Sequence, residues 1–256
     1  MVLVQKEIKR VTIRPNGTEK QIRPVETEKQ YNIDISNFES TTTFNYGDRW
    51  TAFSKWWYYF YSWWNTQIKA YKLSTPYDVN NYIELKTETI PSTQEIHQVY
   101  ISPDGTKLAW ANYSSYIWIY DLTTPYDIST KTNLITSNPW YCTWIWFKPD
   151  GTELYVARYS SPWLVQYHLS TPWDISTASA TASFGGSYRC VSLSPDGQYL
   201  LYADSGWTAY QMELTTPRDI TTRQNYKSLA SHYYPTLAVD GACFLDWRFM
   251  WKFYEL

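Results

Sequence analysis

Only three cysteines, three histidines and a near-even charge balance, 22 basic against 24 acidic residues in a chain of 256, exclude several functions before any motif is read. Cys142, Cys190 and Cys243 are odd in number and lack metal-ligand spacing, so they read as small core residues rather than a disulfide or zinc set. His97, His168 and His232 are scattered and form no HExxH or related pattern, and no metal or other cofactor is expected. Neither a G-x-S-x-G elbow nor a P-loop is present. A formal net charge of -2 and a pI near 5.9 leave no basic footprint for nucleic acid. No apolar run is long enough to span a bilayer, since WWYYFYSWW (56–64) is short and built of amphipathic aromatics, and no membrane insertion is expected. The opening MVLVQKEIKR lacks the apolar region of a signal peptide, which points to synthesis in a cytoplasm without Sec export. The sequons at Asn16 and Asn112 then read as chance matches.

What the chain does have is repetition. Leu-(Ser/Thr)-Thr-Pro-x-Asp-(Ile/Val) occurs from Leu73, Leu122, Leu169 and Leu214, at steps of 49, 47 and 45 residues. A period of roughly 40 to 50 residues made of short strands and turns is the signature of a β-propeller with one four-stranded blade per repeat. Between these copies lie SPDG (102–105), KPDG (148–151), SPDG (194–197) and a worn AVDG (238–241). Pro presets φ, Asp bonds the backbone within the turn and Gly accepts positive φ, so each is a tight hairpin turn. In the unit from Val99, VYIS is the inner strand A, KLAWA strand B, YIWIYDL strand C and STKTNLIT strand D, all β-branched or aromatic runs bounded by turns.

The two ends set the blade count. The first unit has lost its PDG turn, but TAFS (51–54) aligns with VYIS. The last unit stops at Leu256 after strand C, and YNIDISNFESTTTF (31–44) resembles its missing strand D. An all-β fold with five blades over residues 31–256 is therefore expected, closed by an N-terminal strand that completes the C-terminal blade and protects its edges. Residues 1–30 lie outside the repeat; KRVTIRPNGTEKQIRPVE reads as a β-hairpin arm. A lone hairpin is marginal in water, so it leans either on its own propeller or on a partner by strand addition.

The units ISPDGTKLAWANYSSYIWIYDLTTPYDIST and FKPDGTELYVARYSSPWLVQYHLSTPWDISTA resemble the "SPDGTKLYVA…YDLSTPWDIST" propeller repeats of many bacteriophage and bacterial proteins, often among virion or tail-fibre genes. The resemblance covers about residues 31–256 and implies a virion location, a multi-copy assembly, and other virion proteins as partners through residues 1–30. The first and last units and the load of Trp depart from that pattern, so no ligand comes with it.

Function must lie in what varies between blades. The chain holds 15 Trp, 25 Tyr and 9 Phe. Most rings in strands B and C are expected to fill the wedges between blades. The PDG and STPxD turns share one face, nearly identical in every repeat, where Asp78, Asp127, Asp174 and Asp219 read as turn formers rather than catalytic acids. The opposite face, made of D–A connections and B–C hairpins, carries aromatics in each repeat: Trp63 and Trp64, Tyr113 and Tyr116, Tyr159 and Trp163, Trp207, and Trp247. Five positions before each A–B turn stand Trp50, Gln98, Trp144, Cys190 and Tyr234, and one position earlier Arg49, His97, Thr143, Arg189 and Tyr233. Alternation along a strand sends one of these rings towards the central channel and the other towards a neighbouring sheet. The candidate ligand-binding residues are Arg49, Trp50, Trp64, His97, Tyr116, Trp144, Trp163, Arg189, Trp207, Tyr233, Tyr234 and Trp247. Aromatic planes beside Arg, His and Tyr donors suit a host cell-surface glycan, with avidity gained from several sites. A non-enzymatic recognition module is the expectation. A decoration or assembly subunit without a glycan ligand is the alternative, because aromatic patches mark protein interfaces too. A glycoside hydrolase is a third reading, for which the mouth offers Asp48 and Glu95 but no set of three acids from different inner strands.

Overall fold

The computed structural model describes residues 41–42, 50–54, 58–74, 81–90, 95–112, 116–137, 142–194, 196–206, 208–231, 234–237, 243–247 and 250–254. The expected arm (1–30) lies outside them. The described strands pair into five four-stranded antiparallel sheets. Blade 1 holds β2 (Trp50–Phe53), β3 (Tyr59–Trp64), β4 (Gln67–Leu73) and β5 (Tyr82–Thr89). Blade 2 holds β6 (Ile96–Ile101), β7 (Lys107–Asn112), β8 (Ile117–Leu122) and β9 (Lys131–Ser137). Blade 3 holds β10 (Cys142–Phe147), β11 (Glu153–Arg158), β12 (Leu164–Leu169) and β13 (Ala178–Phe184). Blade 4 holds β14 (Tyr188–Leu193), β15 (Tyr199–Asp204), β16 (Thr208–Leu214) and β17 (Arg223–Ser231). In the last sheet β18 (Tyr234–Leu237), β19 (Cys243–Trp247) and β20 (Met250–Tyr254) are joined by β1 (Thr41–Thr42), which pairs Thr41 with Lys252 and Thr42 with Trp251. Packed side chains thus define a propeller of four blades where the sequence led to an expectation of five. The last sheet is described by its strand pairing, and its turn phrases are the worn ones: AVDG replaces PDG and no STPxD follows β20.

Period-2 alternation builds the space between blades. On β7, Leu108 and Trp110 face blade 1, whereas Ala109 and Ala111 face blade 3. Large residues on one face meet small ones on the other, so Tyr61 and Trp63 of blade 1 fill the wedge that Ile96, Val99 and Trp110 line. Tyrosine hydroxyls then stitch neighbours together. Tyr61 donates to the Tyr126 carbonyl at 3.0 Å, Tyr100 to the Phe147 carbonyl at 3.0 Å, and Tyr155 to the Arg218 carbonyl at 2.7 Å.

The two repeated phrases interlock on one face. In the three described copies of STPxD the x residue, Tyr126, Trp173 or Arg218, takes a φ of 66 to 68° and donates its amide to the PDG glycine carbonyl at 2.8 to 3.0 Å. The following Asp caps a single 3-10 turn: Asp127, Asp174 and Asp219 each accept the amide two residues on at 2.9 Å. These acids are therefore occupied as local caps. Cys142 and Cys190 are buried and not joined in a disulfide, and burial pushes the Cys142 thiol up; the Cys243 side chain is not among those described.

Candidate functional site

The opposite face gains its character from a backbone irregularity repeated in three consecutive blades. On each inner strand the pairing with strand B slips by one residue, between Ile96 and Gln98, between Cys142 and Trp144, and between Tyr188 and Cys190. A β-bulge of this kind ejects its extra residue from the regular alternation and re-aims it. The ejected residues are His97, Thr143 and Arg189. Ile96 and Val99, three positions apart, consequently share the face turned to blade 1.

The bulge separates the two residue rings that alternation alone left open. Gln98, Trp144 and Cys190 are buried at 4%, 4% and 0% exposure, with Trp144 and Cys190 in the core between blades 2, 3 and 4. Trp144 is therefore a wedge-filling ring that presents no face to a ligand, because large apolar surface is held most stably where two sheets cover it. Trp63 is likewise fully buried, against blade 2.

The bulge residues converge instead. The His97 ring meets Tyr159 edge-on with centroids 6.0 Å apart, and the Arg189 guanidinium lies over the Tyr159 ring at 4.7 Å. His97 belongs to blade 2, Tyr159 to the B–C hairpin of blade 3, and Arg189 to blade 4. Residues of alternate blades meet about the intervening one only where the blades themselves converge, which places the trio near the propeller axis on the D–A/B–C face. All three are half-buried. Burial, and after it the charge of Arg189, hold His97 down to about 4, so it is neutral at pH 7 and offers one donor and one acceptor. Together the trio brings a guanidinium, a neutral imidazole and a phenol ring to one point.

Of the other candidates, Tyr116 stands exposed at 42% on the B–C hairpin of blade 2 and meets Trp118 edge-on at 6.5 Å. Trp163, on the next hairpin, is half-buried against the blade 3 core. Trp50, Trp64, Tyr234 and Trp247 sit in strands β2, β3, β18 and β19, with side chains outside the described set; Arg49, Tyr233 and Trp207 lie outside the described residues altogether. Tyr159 joins the hub although residue counting along strand A did not associate it with His97 and Arg189. The available signal was the polar residue breaking each apolar alternation at positions 97, 143 and 189.

Among the described residues no group of three His, Cys, Asp or Glu side chains is placed to hold a metal ion. No protein-family model matches the chain, and no curated protein matches it. Among solved structures, similarity is found to a functionally unknown protein from Desulfotomaculum acetoxidans DSM 771, at 16% identity and a TM-score of 0.48. The match covers 80% of this chain and 64% of that one.

Proposed function

We propose that this protein is a non-enzymatic recognition module of a virion, binding host-surface glycan through the D–A/B–C face, with residues 1–30 as its attachment segment to other virion proteins. The observation that carries the binding part is the convergence of His97, Tyr159 and Arg189 from three blades. The PDG/STPxD face repeats one turn chemistry in blades 2, 3 and 4, whereas this face differs from blade to blade, as specificity requires. Its rim aromatics, Tyr116 and Trp163, suit the C–H face of a sugar, and the hub donors suit its hydroxyls. The virion assignment rests on the resemblance of the repeats alone.

In this reading the propeller has five blades and closes through β1. Two observations support that. Phe60, Tyr71 and Leu73, on the face of blade 1 turned away from blade 2, are only 0 to 1% exposed. On the far side, β18 packs against β14 and β15. A sheet bridging these two faces would cover the hydrophobic surface of both.

A second reading, a decoration or assembly subunit that ignores sugars, is favoured by one observation: Ile83, Leu85 and Leu134 lie exposed at 45 to 62% on the outer strands of blades 1 and 2. Purified protein, full-length and lacking residues 1–30, is tested on host cells and on extracted surface polysaccharide. Saturable binding by both forms is the expected result. Binding by neither, with particle attachment by the full-length form alone, would overturn the glycan reading in favour of the structural one. Particle attachment by the shortened form would remove the arm from either account.

A further inference from the structure

We infer that the bulge positions of β6, β10 and β14 form an oxyanion subsite, so that the glycan taken by this face is an acidic saccharide. The inference rests on the glycan reading above and specifies its ligand class. Three observations carry it. The Arg189 guanidinium lies over the Tyr159 ring at 4.7 Å, a cation–π contact that helps to hold its donor fork in place before a ligand arrives. The His97 ring stands edge-on to the other partner of that contact, 6.0 Å from the Tyr159 centroid, and after burial the Arg189 charge is the second cause that holds the imidazole neutral.

The third observation is Thr143. Its blade lies between those of His97 and Arg189, and its residue is the bulge equivalent of both. It is only 4% exposed, yet its Oγ1 meets no hydrogen-bond partner among the described residues. Buried hydroxyls are ordinarily hydrogen bonded, and one left open at the bulge position next to that of Arg189 is suited to donate to an incoming anion. A carboxylate or sulfate oxygen accepting from Arg189 and Thr143, with a sugar hydroxyl directed to His97, would satisfy the set. Carboxylate and sulfate share this oxyanion chemistry.

The test is a titration of the full-length protein with trigalacturonic acid, its carboxyl-reduced neutral counterpart, sulfated dextran and unmodified dextran. Saturable binding to at least one anionic probe is expected, with binding to its neutral counterpart at least tenfold weaker. Arg189→Gln should weaken the anionic interaction at least tenfold, and the near-isosteric Thr143→Val about threefold, each at a melting temperature close to wild type. The Thr143 variant carries the test if Arg189→Gln fails to fold. Which anionic probe binds identifies the source of the oxyanion. Equal binding of neutral and anionic probes, or an anionic interaction indifferent to both substitutions, would overturn the subsite and leave the glycan reading standing. Binding to none of the four would also overturn the subsite, and the glycan reading would then be decided by retention on host polysaccharide alone.

Discussion

A single hydrogen decides whether the two repeated phrases can interlock. Gly151 sits at φ +75°, and a Cβ there would lie 2.3 Å from the Trp173 indole nitrogen, the ring being packed flat on the turn. Gly151→Ala therefore meets both a left-handed backbone penalty and a steric one, and should cost about 2 to 3 kcal/mol in urea unfolding. Gly185, where an added Cβ would meet no heavy atom within 4 Å, tests the same substitution without the clash. Gly185→Ala should change stability by less than about 0.5 kcal/mol. On the other face, His97 carries a pH signature. Its folded value of about 4 lies below the ordinary 6.5, so the unfolded chain binds the proton more readily. Its contribution is full above pH 6.5 and is lost as pH falls towards 4, amounting to about 3 kcal/mol at most. His97→Gln should flatten the fall in stability between pH 6.5 and 4 relative to wild type, leaving the steeper carboxylate-driven loss below that range. An unchanged slope would mean that His97 titrates as it does in water.

At the level of the strand and the blade, the turn chemistry was legible in the sequence. SPDG, KPDG and STPxD contain the residues their φ values and caps require, and the strands fall between them in the order A to D. The inner-strand bulges were not legible in the same way. Binary alternation over IHQVYI or CTWIWF does not say which side chain is extra, because the slip is defined by pairing with strand B and not by the strand itself. For that reason Trp144, a ligand candidate when counted from its turn, is a wedge residue in the fold, while Thr143 beside it is the residue the bulge ejects. Stitching between blades is also invisible in sequence, since it joins residues 47 to 65 positions apart. Tyr100→Phe removes the one buried hydroxyl that reaches the Phe147 carbonyl across blades 2 and 3. Loss of that bond should lower stability by about 1 to 2 kcal/mol, read as a shifted urea midpoint at constant slope. A neutral substitution would show that wedge packing alone joins those blades.

For the whole molecule, one face is a scaffold and the other varies. Like turns repeated in blades 2, 3 and 4 hold those blades alike on the PDG/STPxD face. The D–A/B–C face then brings dissimilar residues of three blades to one point near the axis. This division explains why periodicity revealed the propeller architecture far more readily than the hub. The most direct measurement is the dissociation constant for host-surface polysaccharide of the wild type and of Tyr159→Ala, compared at matched folded fraction. Tyr159 touches both His97 and Arg189, so its removal should weaken binding at least tenfold, or about 1.4 kcal/mol. Binding within twofold of wild type would contradict the assignment of recognition to the hub.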